Sequence, residues 1–168
     1  MKKPTLFILL FALILILNSC TKQPAQEQER TQEETVSVTL STRELADEVL
    51  ASISFPAMTE HTSQTDIETF IGISFDNIEE ITCLQQALTV HLVEVIIIKP
   101  KDGKMDDVMD FLHGRQEKLK EDLAFYPAQL TAAEAMIVGN RHNVAYLICH
   151  DDAPIAEQSL LKLIDENI

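Results

Sequence analysis

Val95-Ile96-Ile97-Ile98 restricts the fold of this chain more than any other stretch. Successive residues of a strand point to opposite faces, so four consecutive β-branched aliphatics leave neither face polar. Such a run suits a strand covered on both faces or central in a sheet. The strand is expected over residues 90–99, closed by Pro100 and Asp102-Gly103.

The clearest helix follows, over residues 104–123. Met105, Val108, Met109, Leu112, Leu119 and Leu123 line one side of it. Asp106, Asp107 and Asp110 crowd its start, while Arg115, Lys118 and Lys120 lie towards its end, an order that complements the helix dipole. Upstream, Ser41 or Thr42 caps a helix carrying Leu45, Ala46, Val49, Leu50 and Ile53, which Phe55-Pro56 ends. Asp66 to Ile71 reads as a short helix or turn stopped by Gly72, and Ile78 to Ala87 as a strand. Downstream, Pro127 opens a short helix over 128–134. Residues 135–138 and 144–149 are strands joined by a turn over 139–143. A last helix starts at Pro154, with Ile155, Ala156, Leu160, Leu163 and Ile164 directed inward. Residues 93–112 and 144–163 share a faint symmetry of strand, acidic turn and amphipathic helix. The expected fold class is α+β, an antiparallel sheet of about four strands in two hairpins with amphipathic helices packed mainly on one face. The other face stays partly open unless residues 41–75 cover it.

The beginning of the chain has a different character. Lys2 and Lys3 precede an unbroken apolar run from Leu6 to Leu17. That is the layout of a secretory signal, and the run is short of the about 20 residues a spanning helix needs. Leu17-Asn18-Ser19-Cys20 has the form of a lipobox, in which the cysteine thiol is acylated and becomes the new N-terminus. Residues 1–19 are therefore expected to be a lipoprotein signal peptide. Residues 20–40 are a lipidated cysteine with a disordered polar tether rich in Gln, Glu and Thr, and residues 41–168 a single α+β domain. As a coil, such a tether would span about 25 Å. Acyl chains on Cys20 make the lipid bilayer the first expected partner.

The chain has 27 acidic and 13 basic residues, a net charge of −14. Loss of Lys2 and Lys3 with the leader makes it more acidic still. This balance excludes nucleic acid as a partner and disfavours bare anionic lipid.

Cys83 and Cys149 remain beside Cys20. In an exported chain they either pair or stay as two buried thiols in strands. Neither they nor the five histidines have the spacing of a metal site, and with four glycines there is no phosphate-cradling loop. GxSxG and SxxK signatures are absent, so no catalytic residue, metal or cofactor is assigned. The acidic pairs Glu79-Glu80, Asp106-Asp107 and Asp151-Asp152 fall at turns or helix starts, where negative charge helps locally. The candidate ligand or packing site is Arg115, Tyr126 and Lys99. These three would frame a small anion or peptide end. Alternatively, Arg115 pairs with acids at Glu117 or Asp122, and Tyr126-Pro127 is a packing joint between helices.

The strand Glu94-Val95-Ile96-Ile97-Ile98-Lys99, the helix carrying Arg115, Phe125-Tyr126-Pro127 and the strand Val144-Ala145-Tyr146-Leu147-Ile148 resemble the domain of unknown function 4358 family. The resemblance covers roughly residues 42–166. It implies an extracytoplasmic lipoprotein of a Gram-positive anaerobe and no particular reaction. The expected function is a non-enzymatic binding or interaction module, anchored on the outer face of the cell membrane, with an envelope protein or peptide as partner. The alternative is a carboxylate-dependent extracytoplasmic hydrolase.

Overall fold

The computed structural model describes residues 37–87, 93–123 and 129–168. The expected signal peptide, Cys20 and most of the expected tether lie outside the described residues, as does Tyr126.

Helix α1 (Thr42–Ser52) starts from a capping box. The Ser41 hydroxyl accepts the Glu44 N–H, and the Glu44 carboxylate accepts the Ser41 N–H. Strand β1 (Met58–His61) and helix α2 (Gln64–Phe70) follow. Gly72, at φ 86°, takes the left-handed turn out of α2, which only glycine adopts without strain. Strands β2 (Ile78–Gln86) and β3 (Glu94–Pro100) precede the long helix α3 (Met105–Leu123). Helix α4 (Leu130–Ala135), strands β4 (Ile137–Arg141) and β5 (Val144–Cys149), and helix α5 (Ala153–Asp165) complete the chain.

The five strands form one antiparallel open sheet in the order β1-β2-β3-β5-β4. The two expected hairpins, β2–β3 and β4–β5, are both present. The count of about four strands is corrected to five by β1, which pairs Met58 with Gln86 and His61 with Cys83.

The helices do not gather on one face. Helices α2, α3 and α4 cover one side, where Ile96 and Ile98 of β3 meet Cys83, Leu147, Val108, Leu112 and Leu119. Helices α1 and α5 cover the other, where Val95 and Ile97 meet Leu84, Ile148, Leu45, Val49, Leu160 and Ile164. The physical reason lies in β3 itself. Residues 94–98 are all 2 % exposed or less, so apolar side chains of both parities need a roof. Residues 41–52 and the last helix supply the second one. The two strand–turn–helix units of the faint symmetry thus send their helices to opposite faces. In α5, Ile155 points outward at 55 % exposure, while Ala156, Leu160 and Ile164 face the core.

Strand β4 extends through Arg141, leaving a two-residue turn, His142-Asn143. Gly139 therefore does not turn the chain. It lies opposite Tyr146, whose ring covers it so closely that a Cβ there would fall 2.6 Å from Tyr146 Cζ.

The last residues of the expected tether belong to the fold. Val38 is 2 % exposed and packs with Leu45, Val95 and Tyr146. Its N–H donates to Asn143 Oδ1 at 2.8 Å and its carbonyl accepts from Lys99 Nζ at 3.0 Å. Thr39 N–H donates to the Asn167 carbonyl at 3.0 Å. Ordering a polar segment needs burial to offset chain entropy, and Val38 supplies it.

Candidate functional site

Glu94 opens β3 between Gln85 of β2 and Cys149 of β5, on the α3 side of the sheet. Arg115 sits on α3 between Leu112 and Leu119, in register with that helix's buried stripe. The sheet and the helix therefore bring opposite charges together inside the core. The two side chains are only 2 % and 9 % exposed. Arg115 Nε donates to Glu94 Oε1 at 3.0 Å, and its Nη2 to Oε2 at 2.6 Å, a fork-to-fork pair.

A row of polar groups continues from this pair to the sheet edge. Gln85 Nε2 donates to Glu94 Oε2 at 2.7 Å. That fixes Gln85 Oε1 as an acceptor, and His61 Nε2 lies 2.7 Å from it. His61 Nε2 therefore carries the proton. The His61 ring lies 5.1 Å from that of Phe70, itself 57 % exposed. The row Arg115–Glu94–Gln85–His61 thus runs from the core to the surface beside β1.

Its chemistry is that of a saturated ion pair. Burial works against the Arg115 charge, but the hydrogen bond and attraction from Glu94 outweigh it and hold the pKa above that of a free guanidinium. Both Glu94 oxygens are engaged by donors, which leaves neither of them open to a substrate.

The two thiols near this row are also quiet. Burial raises the Cys83 thiol far above its ordinary value, and burial followed by the Glu94 charge pushes Cys149 up to about 12. Thiolate is the reactive form, so both are inert near neutral pH. Both cysteines are free. They belong to β2 and β5, which β3 separates. Two strand spacings of about 4.8 Å each put them beyond the reach of a disulfide.

Lys99 serves the opposite face. Its ammonium binds the Val38 carbonyl and lies 3.7 Å from Glu80 Oε2. Glu80 Oε1 in turn accepts the Thr42 N–H at 3.0 Å, and the Thr42 and Thr82 hydroxyls bond at 3.0 Å. This cluster pins the start of α1 to β2.

Lys99 and Arg115 are therefore not brought together: the sheet lies between them. The partner of Arg115 is Glu94, where the sequence suggests Glu117 or Asp122. The signal for Glu94 was present, as an acid heading a fully buried strand. So was that for Arg115, a charge continuing the helix positions 105, 108, 112 and 119.

Two concave regions formed by described residues do not contain this pair. A groove of about 480 Å³ between α1 and α5 is lined by Ser52, Ile155, Gln158, Ser159 and Lys162. A smaller one of about 130 Å³ lies at the Pro100–Gly103 loop, beside His142 and Asn143. Among the described residues, no helix is long and apolar enough to cross a membrane.

Residues 51–150 match the family described as Domain of unknown function (DUF4358). The chain belongs to that family. The match spans all five strands with α2, α3 and α4. It holds the Glu94–Arg115 row and leaves out most of α1 and all of α5. No curated protein and no solved structure matches the chain.

Proposed function

We propose that this DUF4358 protein is a lipoprotein anchored through acyl chains on Cys20 to the outer face of the cell membrane, with its α+β domain acting as a non-enzymatic binding module for an envelope protein or peptide. The observation that carries the reading is Leu17-Asn18-Ser19-Cys20 behind the apolar run Leu6 to Leu17. The geometry of the domain is consistent with a binding role. Its buried carboxylate is neutralised by Arg115, its two thiols in the core are held protonated, and the charged groups that the sequence suggested as a site are spent on internal bonds. The hydrolase reading needs two carboxylates converging on a pocket, and Glu94 is closed to such a role by Arg115 and Gln85.

Fractionation of cells expressing the whole chain tests the anchor. The unchanged protein is expected in the membrane fraction and Cys20→Ser outside it or retained as an uncleaved precursor. A Cys20→Ser protein processed and membrane-bound like the original would overturn the proposal.

A further inference from the structure

The segment Ser37–Leu40 is held by elements remote from it in sequence. Asn143 in the β4–β5 turn takes the Val38 N–H and donates to the Ser37 hydroxyl, Lys99 at the end of β3 takes the Val38 carbonyl, and the Asn167 carbonyl takes both the N–H and the hydroxyl of Thr39. Val38 is its one fully buried side chain, with Leu40 packed at the rim.

Helix α1 shares only Lys99 with these contacts, through its ion pair with Glu80. Its N-terminus is closed by the Ser41–Glu44 capping box, and its first turn is bonded to β2 through Thr42, Glu80 and Thr82. Its own apolar side, Leu45, Ala46 and Val49, holds it to the sheet. The chain therefore has a mechanical joint between Leu40 and Ser41. Behind the joint the helix is secured twice over. In front of it, a few hydrogen bonds and one valine hold the strap.

We propose that Ser37–Leu40 is a strap that docks and undocks as a unit about the Ser41 cap, leaving the sheet and α1 intact. Docked, it delivers any pull from the upstream chain to the Pro100 and Asn143 end of the sheet. Undocked, it adds four residues, about 14 Å of extended chain, to the reach of whatever precedes it. The proposal rests on the geometry of residues 37–167 and holds whether or not Cys20 is acylated.

Native-state hydrogen exchange on the full chain tests it, read at the Thr39 amide. That amide bonds to Asn167 and touches neither residue to be replaced. Lys99→Met removes the bond to the Val38 carbonyl together with the Glu80 ion pair, and Asn143→Ala, separately, removes the bonds to Val38 and Ser37. Lys99→Met, which loses a charge-assisted hydrogen bond, is expected to speed Thr39 exchange by about tenfold and Asn143→Ala, which loses neutral ones, by several-fold, while the Ile97 and Leu147 amides keep their protection. Two results would overturn the proposal. In one, Thr39 exchanges only together with the sheet in every variant, making the strap an inseparable part of the core. In the other, Thr39 of the unchanged protein exchanges as fast as a free peptide, so that nothing is docked.

Discussion

Replacing Arg115 by methionine should destabilise the domain by about 3–5 kcal/mol, because it strands the Glu94 charge in the core. The magnitude follows from the contacts. Three hydrogen bonds converge on Glu94, and the substitution deletes the two from the guanidinium, each charge-assisted and worth about 1.5–3 kcal/mol. Methionine retains most of the apolar stem of Arg115, so little of the loss is packing. Against a total stability of about 5–15 kcal/mol for a domain, this is a large fraction. Urea denaturation followed by circular dichroism measures it as a lower midpoint at unchanged slope. The companion variant carries Glu94→Gln together with Arg115→Met. It removes both charges and keeps an acceptor for Gln85, so it should recover at least half of the loss. The exposed Arg141–Asp165 pair, broken by Asp165→Asn, is the control and should change little. The reasoning is refuted if Arg115→Met costs less than about 1 kcal/mol, or if the double variant is no more stable than the single one.

Two further outcomes follow from the geometry. Cys83 and Cys149 should resist a thiol reagent near pH 8 in the native protein and react at once in denaturant; labelling of the folded protein at the rate of a free cysteine would contradict their burial. The Asp165 carboxyl is held below the usual carboxylate range, chiefly by its hydrogen bond from Arg141, and that of Glu44 by its bonds from the Ser41 backbone and hydroxyl. A depressed folded-state pKa contributes stability that is present above the ordinary range near 4 and lost as pH falls through the lowered value. A carboxyl-carbon NMR titration should therefore find both residues ionised when most exposed carboxylates are half protonated; titration at or above about 4 would count against the two bonds.

How much of this was legible in the sequence depended on whether the controlling interaction was local. The stripe from Met105 to Leu119 and the capping residues at Ser41 are local patterns, and α3 and α1 lie where they indicate. Strand β1 carries no such pattern. Its four residues, Met58–His61, alternate no apolar face and are strand because β2 offers them an edge. The choice of face is equally non-local. An amphipathic helix has the same pattern whichever side of the sheet it covers, so the sequence of α5 could not reveal that it lies opposite α3. The demand for two roofs was nevertheless written in residues 95–98. The candidate site divides the same way. Arg115 stood out as a charge within an apolar stripe, but its partner is 21 residues away on another element, and only the tertiary fold joins them. Lys99 looked available to a ligand because the strap that occupies it, centred on Val38, lies in a stretch whose composition otherwise reads as tether.

The proposed role stands first on the chemistry of Cys20. Mass spectrometry of the N-terminal peptide, released from protein purified out of membranes, tests it most directly. The account predicts a mature chain beginning at Cys20, with thioether-linked diacylglycerol on its sulfur. A peptide that still carries Asn18-Ser19 ahead of an unmodified Cys20, or a mature N-terminus at another residue, would contradict it.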